Sequence, residues 1–322
     1  MTFGPYQREK DVLIPLVKEL SIMSLQFKPE KRYFWKKPDH TWVTIYDYVL
    51  EYYILKAIHE SFPHDLICAE ENLSGRQPPW LNDINSFLPS DSNWRDFFSI
   101  IKKKVPANSR YWVIDPIDGT SGFKRGDHFA IAIALIENSK CVFSICAWPT
   151  HKPVFTGISI DGPAIFYAGL DCGAWACDCK EGGSVFPVKI THDTEIPQTI
   201  AFANYPEPQK GNLLRVMDML GKPYNTIIFT SMAKAIPIGC GKAYLYIRPV
   251  SPKDEAAHDI APVSLFVTEA GGNVTLGNGK QVSFDNKDRV FNGNTGFVLS
   301  NLSPEEHRYV CEVFSNVCNI PA

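Results

Sequence analysis

A strand-like apolar run, Arg110 to Ile114, ends on Asp115 and is followed at once by Pro116-Ile117-Asp118-Gly119-Thr120. Two carboxylates this close repel one another, and both ionise only at a cost unless a cation lies between them. A chain that ends a strand this way has to fold into something that reconciles the two charges. The plainer alternative is a strand closing in an ordinary Asp-Pro turn.

Other acids sit at comparable places. Leu66 to Ala69 reads as a short buried strand that stops at Glu70-Glu71, and Asp259 opens the helical run that continues through Val263 to Thr268 and ends at Gly271-Gly272. Taken alone, Asp259 complements a helix dipole and the glycines are a usual helix stop. Hard divalent cations want oxygen ligands, and magnesium takes a few carboxylates together with water and substrate phosphate. His258 is the single nitrogen or sulfur donor within these motifs, which disfavours zinc. Asp259 lies 141 positions beyond Asp118, so a shared cation joins distant parts of the chain.

At 322 residues the chain exceeds the size at which single cores stop growing, and the pattern divides it in two. Residues 1–155 read as an α+β metal-binding domain, with an insertion at about 72–109. Residues 156–322 read as an α/β domain that contributes Asp259 and substrate-binding residues. In the first, Leu13, Leu16, Val17 and Leu20 predict a helix kinked or broken at Pro15. A second helix spans Asp47 to Ser61 and ends at Phe62-Pro63, with Val49, Tyr53 and Ile54 on one face. Trp94 to Lys103 is a further amphipathic piece. Phe129 to Ile136 and Cys141 to Ala147 form a hairpin around Asn138-Ser139. In the second, strands at Thr199–Ala203, Thr226–Phe229, Ala243–Ile247 and Gly296–Ser300 alternate with helices. Ser303-Pro304-Glu305-Glu306 is a capping box opening the last helix.

The net charge of -3 argues against a broad nucleic-acid surface. Met1 to Leu20 carry Arg8, Glu9, Lys10 and Asp11 and no long apolar core, so neither a secretory signal nor a membrane span is expected, and a cytoplasmic protein is the simplest inference. Nine cysteines, mostly single and in apolar runs, read as reduced core thiols. Cys172, Cys177 and Cys179 lack a fourth zinc ligand at fitting spacing, and Gly173-Ala174 between them suggests a tight hairpin.

Together, Asp115-Pro116-Ile117-Asp118-Gly119-Thr120, Glu70-Glu71, and Asp259 with Glu269-Ala270-Gly271-Gly272 resemble the signature set of the lithium-sensitive, magnesium-dependent phosphomonoesterases. That superfamily includes the inositol monophosphatases, inositol polyphosphate 1-phosphatases, fructose 1,6-bisphosphatases and 3'(2'),5'-bisphosphate nucleotidases. The resemblance spans about residues 36 to 300. Val43-Thr44-Ile45-Tyr46-Asp47-Tyr48, Phe123 to Ala130, Ser231-Met232-Ala233-Lys234 and Tyr244 to Arg248 are most similar to the nucleotidase branch. Departures are Ala69 where the family has glycine, and His258 where many members have tryptophan. Ala203-Asn204-Tyr205-Pro206 stands where the adenosine-side loop falls and matches it poorly.

The resemblance implies a layered α-β-α-β-α sandwich and two to three Mg2+ ions. Glu70, Asp115 and the Ile117 carbonyl would hold one, and Asp115, Asp118 and Asp259 a second; a third, weaker ion would rest on Glu70. A water made acidic by these cations would attack phosphorus, oriented by Thr120 and Asp47; Asp47 alternatively only caps its helix. Gly119 and Thr120 would offer backbone N–H groups to phosphate at a helix start, and Ser231, Lys234 and Arg248 would bind a second phosphate. Lys234 and Arg248 also read as a solvated lysine and a strand-end arginine. The implied substrate is a small phosphorylated molecule, adenosine 3',5'-bisphosphate, cleaved to AMP and phosphate. Inositol 1,4-bisphosphate and a catalytically weak bisphosphate sensor are the other readings. No membrane or nucleic-acid polymer is implied, and no protein partner is assigned.

Overall fold

A computed structural model describes residues 3–28, 30–38, 40–73, 76–106, 108–190, 199–202, 207–221, 225–250, 256–284 and 295–320. The first segment holds α1 (Gln7–Gln26), the hairpin β1 (Phe34–Lys36) and β2 (Trp42–Thr44), α2 (Ile45–Ser61), β3 (Leu66–Ala69) and α3 (Trp94–Ser99). Next come β4 (Arg110–Asp118), α4 (Thr120–Phe123), β5 (Ala130–Glu137), β6 (Lys140–Trp148), α5 (Pro153–Thr156), β7 (Ala164–Gly169), β8 (Gly173–Asp178) and β9 (Val185–Val188). The remainder holds β10 (Thr199–Phe202), α6 (Gln209–Leu220), β11 (Asn225–Ile228), α7 (Ile236–Gly239), β12 (Leu245–Arg248), α8 (Ala261–Glu269), β13 (Asn273–Leu276), β14 (Phe297–Ser300) and α9 (Pro304–Cys318).

Two larger sheets result. One has seven strands in the order β3-β4-β5-β6-β7-β8-β9, the other five in the order β11-β10-β12-β14-β13. Strand alternation sends side chains to opposite faces, and the buried clusters follow it. In β4 and β5, Trp112, Ile114, Ile131, Ile133 and Leu135 join a core with α1 and α2. Tyr111, Val113, Ala130, Ala132 and Ala134 join a second core that also contains Phe266 and Val267 of α8 and Tyr246, Phe297 and Leu299 of the smaller sheet. The alanines keep that face of the sheet shallow, so α8 lies close between the two sheets. Beyond the smaller sheet, Leu245, Ile247 and Val298 pack with Leu213 and Val216 of α6 and Phe314 of α9. The order is α1/α2, seven-stranded sheet, α8, five-stranded sheet, α6/α9, the expected five layers.

Several local expectations shift. α1 continues unbroken through Pro15. An interior proline costs about 3 kcal/mol, which burial of Leu13, Val17 and Leu20 offsets at roughly 1.5–3 kcal/mol each. The helix expected over Trp94 to Lys103 ends at Ser99. The first sheet does not close near residue 155: β6 pairs with β7 from Phe143↔Gly169 to Trp148↔Ala164, and the sheet continues to Val188. A hydrogen-bonding edge left at β6 would be open to any strand, and β7 to β9 cover it. The hairpin at Asn138-Ser139 has φ of 49° and 65° at those residues, as a two-residue turn matching strand twist requires. Ser303 accepts from the Glu306 N–H while Glu306 accepts from Ser303, the expected capping box. Among the described residues the cysteines are free thiols, Cys172, Cys177 and Cys179 form no metal-ligating group, and no helix is long and apolar enough to cross a membrane. Residues 203–206 lie outside the described residues.

Candidate active site

Register explains how the acids meet. β3 and β4 are parallel, with Ala69 opposite Ile114, and the Glu70 N–H continues the ladder to the Ile114 carbonyl at 3.0 Å. Parallel strands end on the same side, so Glu70 and Asp115 emerge together. Along β4, Asp115 pairs with Ala132 and Asp118 with Ala130, with a register shift between them. Three steps on β4 thus match two on β5. Without that extra residue, positions 115 and 118 would point to opposite faces; with it, both point toward the α8 layer, while Ile117 turns back into the core with α2. Pro116 lacks a donor and fits at such a bulge.

Asp259 arrives from the other half. It ends a 3₁₀ turn, Ala257–Asp259, just before α8, and its carboxylate accepts the Ala256 N–H at 3.0 Å. Two groups of ligand atoms form, each within 4.8 Å: Asp115, Asp118 and Asp259 in one, Glu70, Asp115 and His258 in the other. Asp115 belongs to both. Its side chain is 3% exposed, and its Oδ1 has no hydrogen-bond partner. A buried carboxylate oxygen left bare costs energy, and a divalent cation is the partner this all-round acidic setting fits. Burial, then Glu70 and Asp118, pushes the Asp115 carboxyl well above the usual range. Burial likewise raises Asp118 to about 7 against the pull of Lys234, and the Met232 N–H donates to it.

Asp47 sits in the first turn of α2, fully buried. Its Oδ2 accepts from the Thr44 N–H at 2.8 Å and the Thr44 hydroxyl at 2.6 Å, and its Oδ1 faces the Thr120 hydroxyl at 3.4 Å. The cap and the contact with Thr120 therefore use different oxygens of one carboxylate. Burial raises Asp47 to about 7. Thr120 Oγ also lies 3.1 Å from the Ile117 carbonyl, so its proton has two acceptors.

Gly119 has φ of 86°, and a Cβ there would lie 2.8 Å from Ser231 Cβ. This contact seats the Ser231 segment on the aspartate turn. Ser231 caps the following 3₁₀ turn, its hydroxyl accepting the Ala233 N–H. Lys234, 3% exposed, donates to the Ser231 carbonyl at 2.7 Å and lies 4.9 Å from the Tyr246 ring. Burial lowers its pKa to about 8, with Asp118 opposing and Arg248 assisting. Arg248 is half-buried on β12, on the same face as Tyr246. Lys234 is thus no solvated surface lysine. α4 is a single turn, a shorter helix start than the phosphate-facing one expected.

Two participants were not singled out from sequence, Lys37 and Glu51. Lys37 donates to Glu70 at 2.9 Å and to Glu71. Against its burial, Lys37 and His258 hold Glu70 down to about 2, while burial takes Glu71 up to about 8. Glu51, completely buried, accepts the Glu71 N–H at 3.1 Å. Glu51 follows Asp47 by one helical turn, a signal that was available. Ala69, the departure from glycine, is 1% exposed and packs with the α2 core.

The model of the inositol monophosphatase family matches residues 15–317. Among curated proteins, 3'(2'),5'-bisphosphate nucleotidase of Oryza sativa is 29% identical over 239 residues, 68% of this chain and 65% of the rice protein, so the match spans just under two thirds of that relative. The 3',5'-bisphosphate nucleotidase 2 of Arabidopsis thaliana is 26% identical over 83% of this chain and 84% of its own. The 3'(2'),5'-bisphosphate nucleotidase 2 of Candida albicans is 26% identical over 88% and 90%. Among solved structures, the IMPase of Thermotoga maritima superposes with a TM-score of 0.67 at 22% identity, covering 97% of this chain and 98% of its own. A Ca-bound IMPase family protein from Staphylococcus aureus gives 0.64 at 16%, covering 96% and 95%.

Proposed function

Because the chain belongs to the inositol monophosphatase family, we propose that it is a Mg2+-dependent, Li+-sensitive phosphomonoesterase that removes the 3'-phosphate of adenosine 3',5'-bisphosphate. Water adds to phosphorus, the P–O3' bond breaks, the leaving oxygen takes a proton, and AMP and phosphate result. The observation that carries this reading is the bare Asp115 oxygen among Glu70, Asp118 and Asp259, with Thr120 against Asp47 beside it. The nucleotide specificity draws on the names of the curated relatives.

In this reading Glu70, Asp115, the Ile117 carbonyl, Asp118 and Asp259 hold two to three Mg2+. When bound, the cations polarise the phosphoryl group and lower the pKa of water. Thr120 donates its proton to Asp47 or Ile117, which leaves its oxygen to accept from the attacking water and orient it. Asp47, with Oδ2 committed to the helix cap, receives the proton through Oδ1. Lys234 and Arg248 provide positive charge for the phosphate that is not cleaved, with Ser231 holding Lys234 in place and Gly119 leaving room for phosphate against the backbone.

Steady-state kinetics with adenosine 3',5'-bisphosphate and inositol 1,4-bisphosphate side by side test the assignment. No turnover of the nucleotide sinks it, and preference for the inositol compound moves the chain to the other branch. Asp118→Asn abolishes hydrolysis in this reading, as does chelation of Mg2+; hydrolysis untouched by either overturns the metal assignment. Millimolar Li+ inhibits, and activity undiminished by it counts against the site as described.

A further inference from the structure

We propose that His258 is itself a metal ligand, so that one of the two cation positions is a mixed nitrogen–oxygen site that favours a first-row transition ion over Mg2+. The proposal rests on the metal-dependent reading above and deepens it. A tryptophan at this position offers no ligand. Here the imidazole nitrogen lies within 4.8 Å of carboxylate oxygens of both Glu70 and Asp115.

The backbone explains why one turn serves two positions. The Asp259 N–H donates to the Ala256 carbonyl at 3.0 Å and the Ala256 N–H returns to Asp259 Oδ2 at the same distance. This closed turn holds residues 258 and 259 together against β4. Asp259 groups with Asp118 and Asp115, and His258 groups with Glu70 and Asp115. Asp115, 3% exposed and with Oδ1 unpartnered, faces both groups. That buried, unpartnered oxygen is the independent sign that the site takes a cation.

The donor sets differ in kind. Asp115, Asp118 and Asp259 offer oxygen alone, which suits Mg2+. Glu70, Asp115 and His258 offer two oxygens and a nitrogen. Imidazole suits manganese weakly and cobalt and nickel increasingly well, and three protein ligands with open positions is the usual arrangement of a catalytic transition-metal site. The two positions are thus chemically unequal.

The test uses the full chain, stripped with chelator and reloaded. With Mg2+ in excess filling the all-oxygen position, Mn2+ bound at one equivalent gives an electron spin-echo modulation from a directly coordinated 14N nucleus, and the modulation disappears in His258→Gln. Co2+ titrated by its visible absorption binds at least about tenfold more weakly to His258→Gln than to the parent, a typical cost for losing one ligating group, while Mg2+ affinity by calorimetry changes less than about threefold. Absence of nitrogen modulation in the parent protein overturns the proposal without reference to any variant. Equal weakening of Co2+ and Mg2+ in His258→Gln overturns it too. These readouts need no turnover, so failure to hydrolyse adenosine 3',5'-bisphosphate removes the substrate reading and leaves the ligation result standing.

Discussion

Replacing Gly119 by alanine attacks the seam between the aspartate turn and the Ser231 segment with the smallest possible change. At φ of 86° an L-residue costs about 1–2 kcal/mol. The new methyl would stand 2.8 Å from Ser231 Cβ and 3.1 Å from its Cα, so the segment must retreat by about 0.6 Å to reach ordinary contact, and overpacking of this kind costs about 1–3 kcal/mol. The sum, about 2–5 kcal/mol, lowers the thermal midpoint by roughly 4–10 °C at about 2 °C per kcal/mol. Because Ser231 leads directly to Met232, whose N–H holds Asp118, and to Lys234, the retreat also misplaces charge, and displacement near 1 Å costs about 10²-fold in rate. Differential scanning calorimetry and steady-state kinetics measure both. Combining Gly119→Ala with Ser231→Gly removes the closer partner and recovers at least about 1 kcal/mol in a double-mutant cycle. A midpoint within about 1 °C of the parent, or no recovery in the double variant, refutes the close approach as the cause.

Other consequences follow from the buried charges. Thr120→Val keeps shape but loses the hydroxyl, lowering kcat by about 10²- to 10⁴-fold with little change in unfolding midpoint, and Thr120→Ser restores most of the rate; a fully active valine variant removes Thr120 from the proton path. Without metal, Asp47 and Asp118 at about 7 and Glu71 at about 8 hold protons that the unfolded chain releases near pH 4. The folded state therefore binds more protons between those values, and chelated protein loses stability as pH rises from 6 to 8; urea unfolding showing the reverse order contradicts the assignment. Lys234, lowered to about 8, opposes this trend only above that pH. Lys37→Met strands Glu70, which the lysine holds ionised at about 2 against its burial, and costs about 3–5 kcal/mol at pH 8, less at pH 5 as burial lets the freed Glu70 carboxyl take up a proton; equal losses at pH 5 and 8 by urea titration exclude that explanation.

Much of this site could be read from residue order because its parts are local. Asp115 through Thr120, Glu70 after a short strand, and the Thr44–Asp47 cap each lie within a few residues, where spacing carries the chemistry. What eluded sequence depends on tertiary placement. Lys37 lies in a polar stretch without periodicity, and only folding sets it between Glu70 and Glu71. His258 read as a departure from pattern because nothing local shows that it reaches Glu70, 188 positions earlier. The division expected near residue 155 rests on the end of the Phe129 to Ala147 hairpin, yet hydrogen bonding resumes at Ala164 and carries the sheet on to Val188. A loop between strands and a loop between domains look alike until pairing is known.

The 141 positions between Asp118 and Asp259 also set a clock on the ribosome. At about 5–20 residues per second, roughly 7–28 s separate synthesis of the aspartate turn from that of its last partner. Throughout that interval the nascent chain carries Glu70, Asp115 and Asp118 without His258 or Asp259, a set of acids that repel each other where the finished protein draws them together. Docking of the turn before α8 adds one more acid beside Asp115 and Asp118, so the charged end of the seven-stranded sheet becomes favourable only with a cation to share among them.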